Sequence, residues 1–210
     1  DAYNVAVGHQ AGLLVSTGIY NTLIGGLAGD ALTSGQYNVA VGYAALSTED
    51  GHGKNTAVGY KALQDLNAGA NGLNTAIGYE AGRRISTGTT NVIVGSLAGD
   101  HLTTGGENIA IGYQALTAED GHGKNVAIGH NALRDLDAGA DAYNVTVGYE
   151  AGKVISTGVR NIIIGGLAGD ALTTGSRNVA IGHGALSTED GNGYNVAIGY
   201  QALEGLNAGA

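Results

Sequence analysis

The chain has 210 residues, with 9 Lys plus Arg against 18 Asp plus Glu for a net charge of −9, and it contains 39 Gly but no Pro, Cys, Met, Trp or Phe. The missing cysteine excludes a disulfide framework, a thiolate metal site and a cysteine nucleophile. An acidic balance without a Lys/Arg cluster excludes a phosphate-tracking nucleic-acid surface and an anionic membrane surface as partners.

Asn4 opens the first predicted element, NVAVGHQA, a short run rich in β-branched residues and bounded by Asn and Gly, which predicts a strand. The pattern N-x-x-[VI]-G-x-x-A returns at Asn21 (NTLIGGLA), Asn38 (NVAVGYAA) and Asn55 (NTAVGYKA) at a constant offset, 21 − 4 = 17, and then at Asn74 after a longer step, 74 − 55 = 19. Asn74, Asn91, Asn108 and Asn125, and after them Asn144, Asn161, Asn178 and Asn195, repeat that spacing. The long period is therefore 74 − 4 = 70, and three copies, 1–70, 71–140 and 141–210, account for the chain. Between the strands, A-L or A-G segments lead to Gly-containing turns (STG, TSG, EDGHG), and two short strands and two turns per unit fit the length.

A unit of this size is too short to bury its own apolar face, so neighbouring units must supply the core. The expectation is one all-β domain over 1–210, a repetitive parallel β-roll or β-helix solenoid of 12 coils with lengths of 17 or 19. At a rung spacing of about 4.8 Å that is a rod roughly 55 to 60 Å long. Stacking turns each unit position into a column. The Val/Ile column (Val7, Ile24, Val41, Val58, Ile77, Val94, Ile111, Ile128, Val147, Ile164, Ile181, Ile198) admits no polar residue and predicts a buried spine. The twelve Asn are a structural ladder, pairing amides coil to coil and satisfying turn backbone groups. Where the residue two after Asn is Ala or Thr146, Tyr or His follows the Gly; where it is Leu23, Ile93 or Ile163, the aromatic shrinks to Gly26, Ser96 or Gly166. Volume compensation near one surface accounts for this exchange, and it makes Tyr43, Tyr60, Tyr79, Tyr113, Tyr149 and Tyr200 candidate surface or interface aromatics.

No catalytic constellation stands out: every His sits where another copy holds Tyr, Asn or Ala, and an enzyme needs one asymmetric site where this chain offers copies. No metal or cofactor site is assigned. Ca²⁺ at the acidic turns Glu49-Asp50, Glu119-Asp120 and Glu189-Asp190 is the one cofactor option, and the preferred reading is a solvated turn, since the motif matches neither the EF-hand nor the GGxGxDxUx repeat. Thr columns do not recur on successive coils as a flat ice-binding face would need.

The reiterated motif, as in NIAIGYQAL (Asn108 to Leu116) and NVAIGYQAL (Asn195 to Leu203), resembles the head repeats of YadA-like trimeric autotransporter adhesins and related phage tail-fibre repeats. That resemblance implies a left-handed parallel β-roll, three chains side by side, and an exterior that binds host or environmental ligands. The units here are longer than the common head unit of that family. A hexapeptide left-handed β-helix, suggested by VGHQAG (Val7 to Gly12), is second, since only one hexapeptide per coil fits. The functional expectation is a non-enzymatic fibrous protein on a cell or virion surface, self-associating as a trimer or end-to-end filament. The alternative is a multivalent glycan-binding module using the Tyr/His columns. The array starts and stops in phase without polar caps, which suggests a segment of a longer array.

Overall fold

The computed structural model describes residues 2–206. Twelve three-residue strands form one sheet: β1 (Val5–Val7), β2 (Thr22–Ile24), β3 (Val39–Val41), β4 (Thr56–Val58), β5 (Thr75–Ile77), β6 (Val92–Val94), β7 (Ile109–Ile111), β8 (Val126–Ile128), β9 (Val145–Val147), β10 (Ile162–Ile164), β11 (Val179–Ile181) and β12 (Val196–Ile198). They pair in chain order, all parallel and in register, so Ala40 lies between Leu23 and Ala57. Each strand touches only the strands before and after it. The chain is thus an all-β solenoid in which every coil closes on itself and delivers the next strand one rung along.

Among the described residues only one strand forms per coil. The A-L and A-G segments, expected to be second strands, are runs of turns. The reason is backbone conformation: Ala44 and Leu46 have φ of 52° and 53°, and Lys61 and Leu63 in the next coil have 55° and 48°. Residues in the left-handed region at every second position cannot continue a pleated ladder. Coil-to-coil bonding persists without a strand, as from Leu46 N–H to the Ala62 carbonyl (3.0 Å).

Side chains in a strand alternate between faces, and the middle residue is the one that points in. Ala40, Ala57, Ala110, Ala127 and Ala180 are fully buried, as are Ile93 and Ile163. The Val/Ile column therefore is not the buried spine: Val7, Ile24, Ile77, Ile164 and Ile198 are exposed, and Ile111 and its remaining counterparts are half-buried on the outer face. A coil this narrow has its interior filled from the opposite wall by Leu32, Leu46, Leu63, Leu66 and Ile85, and most strands face them with nothing larger than Ala.

The volume exchange also runs through a different pair. Leu23 points inward, whereas Gly26 lies outside beneath the Tyr43 ring, so the two do not share a surface. The inward partner of Leu23 is Gly29, where an added methyl would stand 2.8 Å from Leu23 Cδ2; Gly99 faces Ile93 and Gly169 faces Ile163 in the same way. In the third and fourth coils of each copy, where Ala is on the strand, that position is Leu46, Leu63, Leu116, Leu133, Leu186 or Leu203, so bulk moves to the other side of the interior; the first coil of each copy is small at both places, with Gly12, Gly82 and Gly152 opposite Ala6, Ala76 and Thr146.

Candidate functional site

Asn is short enough to stay at the corner before each strand and carries both an acceptor and a donor pair. Each side-chain Oδ1 accepts from the backbone N–H of the next Asn, as from Asn21 to Asn4 (2.8 Å), Asn38 to Asn21 (2.9 Å) and Asn108 to Asn91 (2.9 Å). The step across the long coil, Asn74 to Asn55, is kept at 3.1 Å. Most Nδ2 groups donate to a turn carbonyl of the same coil, such as Asn21 to Gly35 (2.8 Å) and Asn144 to Gly158 (2.8 Å). Direct amide-to-amide bonds join Asn91 to Asn74 (3.1 Å) and Asn125 to Asn108 (3.3 Å). The ladder runs unbroken through Asn161, Asn178 and Asn195.

The outward strand positions form the second feature. The first and third residues of the twelve strands are Val, Ile or Thr throughout, giving two parallel columns of β-branched side chains with no charge among them. Three residues of strand span about 10 Å and eleven rung steps about 53 Å, so the bare strip covers ~500 Å² and approaches ~1,000 Å² with its flanking columns. A standard interface takes about 800 Å² from each partner.

Aromatic columns flank this strip on both sides. After the Gly, Tyr43, Tyr60 and Tyr79 stack with centroids 5.6 and 5.2 Å apart. Tyr113, His130 and Tyr149 stack at 5.1 and 5.3 Å, and His183 pairs with Tyr200 at 5.8 Å. A second stack, unnoticed in the motif because it precedes Asn, joins Tyr3, Tyr20 and Tyr37 at 5.4 and 5.2 Å. Its sequence signal was the spacing of those three tyrosines, which equals the step between successive coils. All these tyrosine rings remain at least 40% exposed, so each offers an edge or a terminal face to whatever lies outside.

The acidic turns are not uniformly solvated. Asp50 and Asp120 are exposed, but Glu49, Glu119 and Glu189 are fully buried. Glu49 Oε1 accepts from the His52 N–H (2.9 Å) and Oε2 from Ala68 N–H (3.4 Å); Glu119 does the same with His122 (3.0 Å) and Ala138 (3.5 Å). The buried carboxylate ties its own turn to the longer coil that follows. Glu49, Asp50 and His52, and likewise Glu119, Asp120 and His122, bring ligand atoms within 4.8 Å of one another, while the third copy has Asn192 in place of the His. An imidazole among the donors suits calcium poorly, since that ion takes oxygen ligands.

Burial raises the Glu119 carboxyl above its ordinary range against the lowering pull of the His122 and Ala138 amides, and burial raises Asp170 as well. A carboxyl whose folded pKa lies above its unfolded value stabilises the fold below the ordinary Glu range, and that contribution is lost as pH rises through the folded value. Asp141, held down by Lys124, and Glu150, held down by Asn131, act in the opposite sense and lose their contribution only as pH falls through the carboxylate range. Stability measured by chemical denaturation is thus expected to decline as pH rises above the ordinary carboxylate range, and Glu119→Gln is expected to flatten that decline.

Fold and surfaces together define a twelve-coil parallel β-solenoid with an asparagine corner ladder and an exposed β-branched strip between aromatic columns. Comparison with protein-family models, curated proteins and solved structures finds no match. Among the described residues no helix is long and apolar enough to cross a membrane.

Proposed function

We propose that the chain is a non-enzymatic fibrous protein, a stiff shaft or head displayed outside the cell or on a virion, whose rods associate side by side through the strand strip and serve attachment. The observation that carries this reading is the strip itself. An uncharged β-branched surface of ~500 Å², continuous over twelve strands, is as large as the largest apolar patch of a typical monomer, and such patches are often interaction sites. Its occupant is a second and third copy of the same chain, because identical rods have matching rung spacing. Three rods are what the adhesin resemblance implies; end-to-end filaments are the other assembly that solenoid stacking supports. Light scattering across a concentration series tests this. A discrete mass of three chains is the expected result, filaments growing with concentration would establish end-to-end stacking instead, and a monomer at every concentration overturns self-association.

The exposed ring stacks favour a second reading, in which the same rod presents tyrosine columns to saccharides and gains avidity from repetition.

A further inference from the structure

The three copies differ at a place beside the Asn ladder, where Gln36-Tyr37 is matched by Gly106-Glu107 and Ser176-Arg177. In the first copy, a cleft of about 310 Å³ opens between two turns, lined by Ser34, Gln36, Tyr37, Lys54 and Asn71 over a floor of glycine backbone. In the second copy the matching lysine, Lys124, is taken up by Asp141 at 2.6 Å and lies 5.3 Å from the Tyr143 ring. In the third copy Arg177 stands where Tyr37 does, and it donates to the Tyr194 hydroxyl and covers that ring. Asn71 stands beside Lys54 at the position where Asp141 stands beside Lys124, so among the described residues no carboxylate pairs with Lys54, and it remains exposed while Lys124 is drawn half under the surface.

Tyr37 completes the arrangement. It is the last ring of the Tyr3–Tyr20–Tyr37 stack, with Tyr20 covering one face and the cleft bordering the other, and it is 52% exposed. An aromatic face, an unpaired ammonium, the amides of Gln36 and Asn71 and the Ser34 hydroxyl thus converge on one polar cleft, and no carboxylate lines it. A sugar ring, with an apolar C–H face, hydroxyls around its edge and a negative group, matches that face and those donors. The second copy is unsuited to such a ligand, since Glu107 replaces Tyr37 and Gly106 replaces Gln36. The net charge of −9 does not prevent binding, because charges beyond about 8 Å are screened at physiological ionic strength.

We propose that this cleft binds a saccharide bearing an anionic group, its ring against Tyr37 and its anion on Lys54. The proposal rests on the saccharide reading of the aromatic columns and is independent of self-association. Its test is titration of the full chain with 3′-sialyllactose, a hyaluronan tetrasaccharide and a sulfated chondroitin disaccharide, with lactose as the neutral control, followed by NMR and calorimetry. At least one acidic probe is expected to bind, the carboxylated and sulfated arms identifying the anion, and lactose at least about tenfold more weakly, as loss of one charged hydrogen bond predicts. Lys54→Gln and Tyr37→Ala are expected to weaken binding by about tenfold or more each. Asn71→Asp, which installs the carboxylate found at Asp141, should weaken it too by capturing Lys54. All three positions are exposed, and unchanged melting curves would show that the fold is intact. Failure of every acidic probe to bind the parent, or binding indifferent to Tyr37 and Lys54, overturns the cleft. Binding that is instead lost with Tyr43→Ala and Tyr113→Ala overturns the cleft while leaving the column reading standing.

Discussion

Ala110→Asp is expected to abolish folding, whereas Ile111→Asp, one residue on, is expected to leave each rod folded and to disperse the proposed assembly. Ala110 is fully buried in the middle of β7, within the apolar core and flanked in the sheet by the equally buried Ile93 and Ala127. An unpaired charge there costs several kcal/mol, and the larger side chain adds strain in a packed interior; together these reach the whole stability of an ordinary domain, about 5 to 15 kcal/mol. Ile111 points to the outer face and is half-buried, so its replacement costs an isolated rod about 1 kcal/mol. Between rods, the same aspartate would be desolvated in the strip, and association would fall by orders of magnitude. Circular dichroism and light scattering on the two proteins separate these outcomes. A folded Ala110→Asp protein would refute the inward assignment of the strand centre, and an Ile111→Asp protein with the mass of the parent would refute the strip as the interface.

Asn108→Ala is expected to lower stability by about 2 to 4 kcal/mol without changing the shape of the rod. Asn108 Oδ1 receives the Asn125 backbone N–H at 3.0 Å and the Asn125 side-chain amide at 3.3 Å, and its Nδ2 donates to the His122 carbonyl at 3.3 Å. Truncation leaves buried groups on the neighbouring coil and turn unpaired, each costing about 1 to 3 kcal/mol, with partial relief where water reaches the turn. Asn108→Asp restores an acceptor but removes the donor and buries a charge, so it should not rescue the loss. Urea unfolding midpoints at constant slope are the measurement; a shift worth less than about 1 kcal/mol would mean that the ladder is dispensable.

The coil count, the strand positions and the parallel order were legible because Asn, Val/Ile and Gly recur at fixed offsets, and register in a stack follows from that repetition. The facing of the strand was not legible. In V-A-V, bulk argues for burying the valines, and only the leucines arriving from the far wall, at Leu46 and Leu63, show that the space belongs to them. The same blindness paired Leu23 with Gly26 rather than Gly29, since a covariation pattern carries no information about which side of the backbone a residue takes. The missing second strand was hidden by left-handed residues such as Leu46 and Lys61, types that sequence gives no reason to place at positive φ. Of the candidate surfaces, Tyr43, Tyr60, Tyr79, Tyr113, Tyr149 and Tyr200 were visible as a column, while the buried side of the EDGHG turn was not. Glu49 and Asp50 are alike as letters, and only the neighbouring coil's Ala68 amide distinguishes them.

The lengthened coil has a consequence for how such a chain can change. Along most of the rod, rung-to-rung hydrogen bonds fix coil length, and an inserted residue would put every later coil out of step. At Gly69 and Gly139 the surroundings are open, with nothing within 4 Å of an added methyl. The longer coil carries its extra residues past this point without losing the ladder, since the Asn74 N–H still donates to Asn55 Oδ1 at 3.1 Å. These are the points at which foreign sequence, an epitope or a whole domain can be spliced into the rod at the junction between copies, leaving the coils on either side in phase.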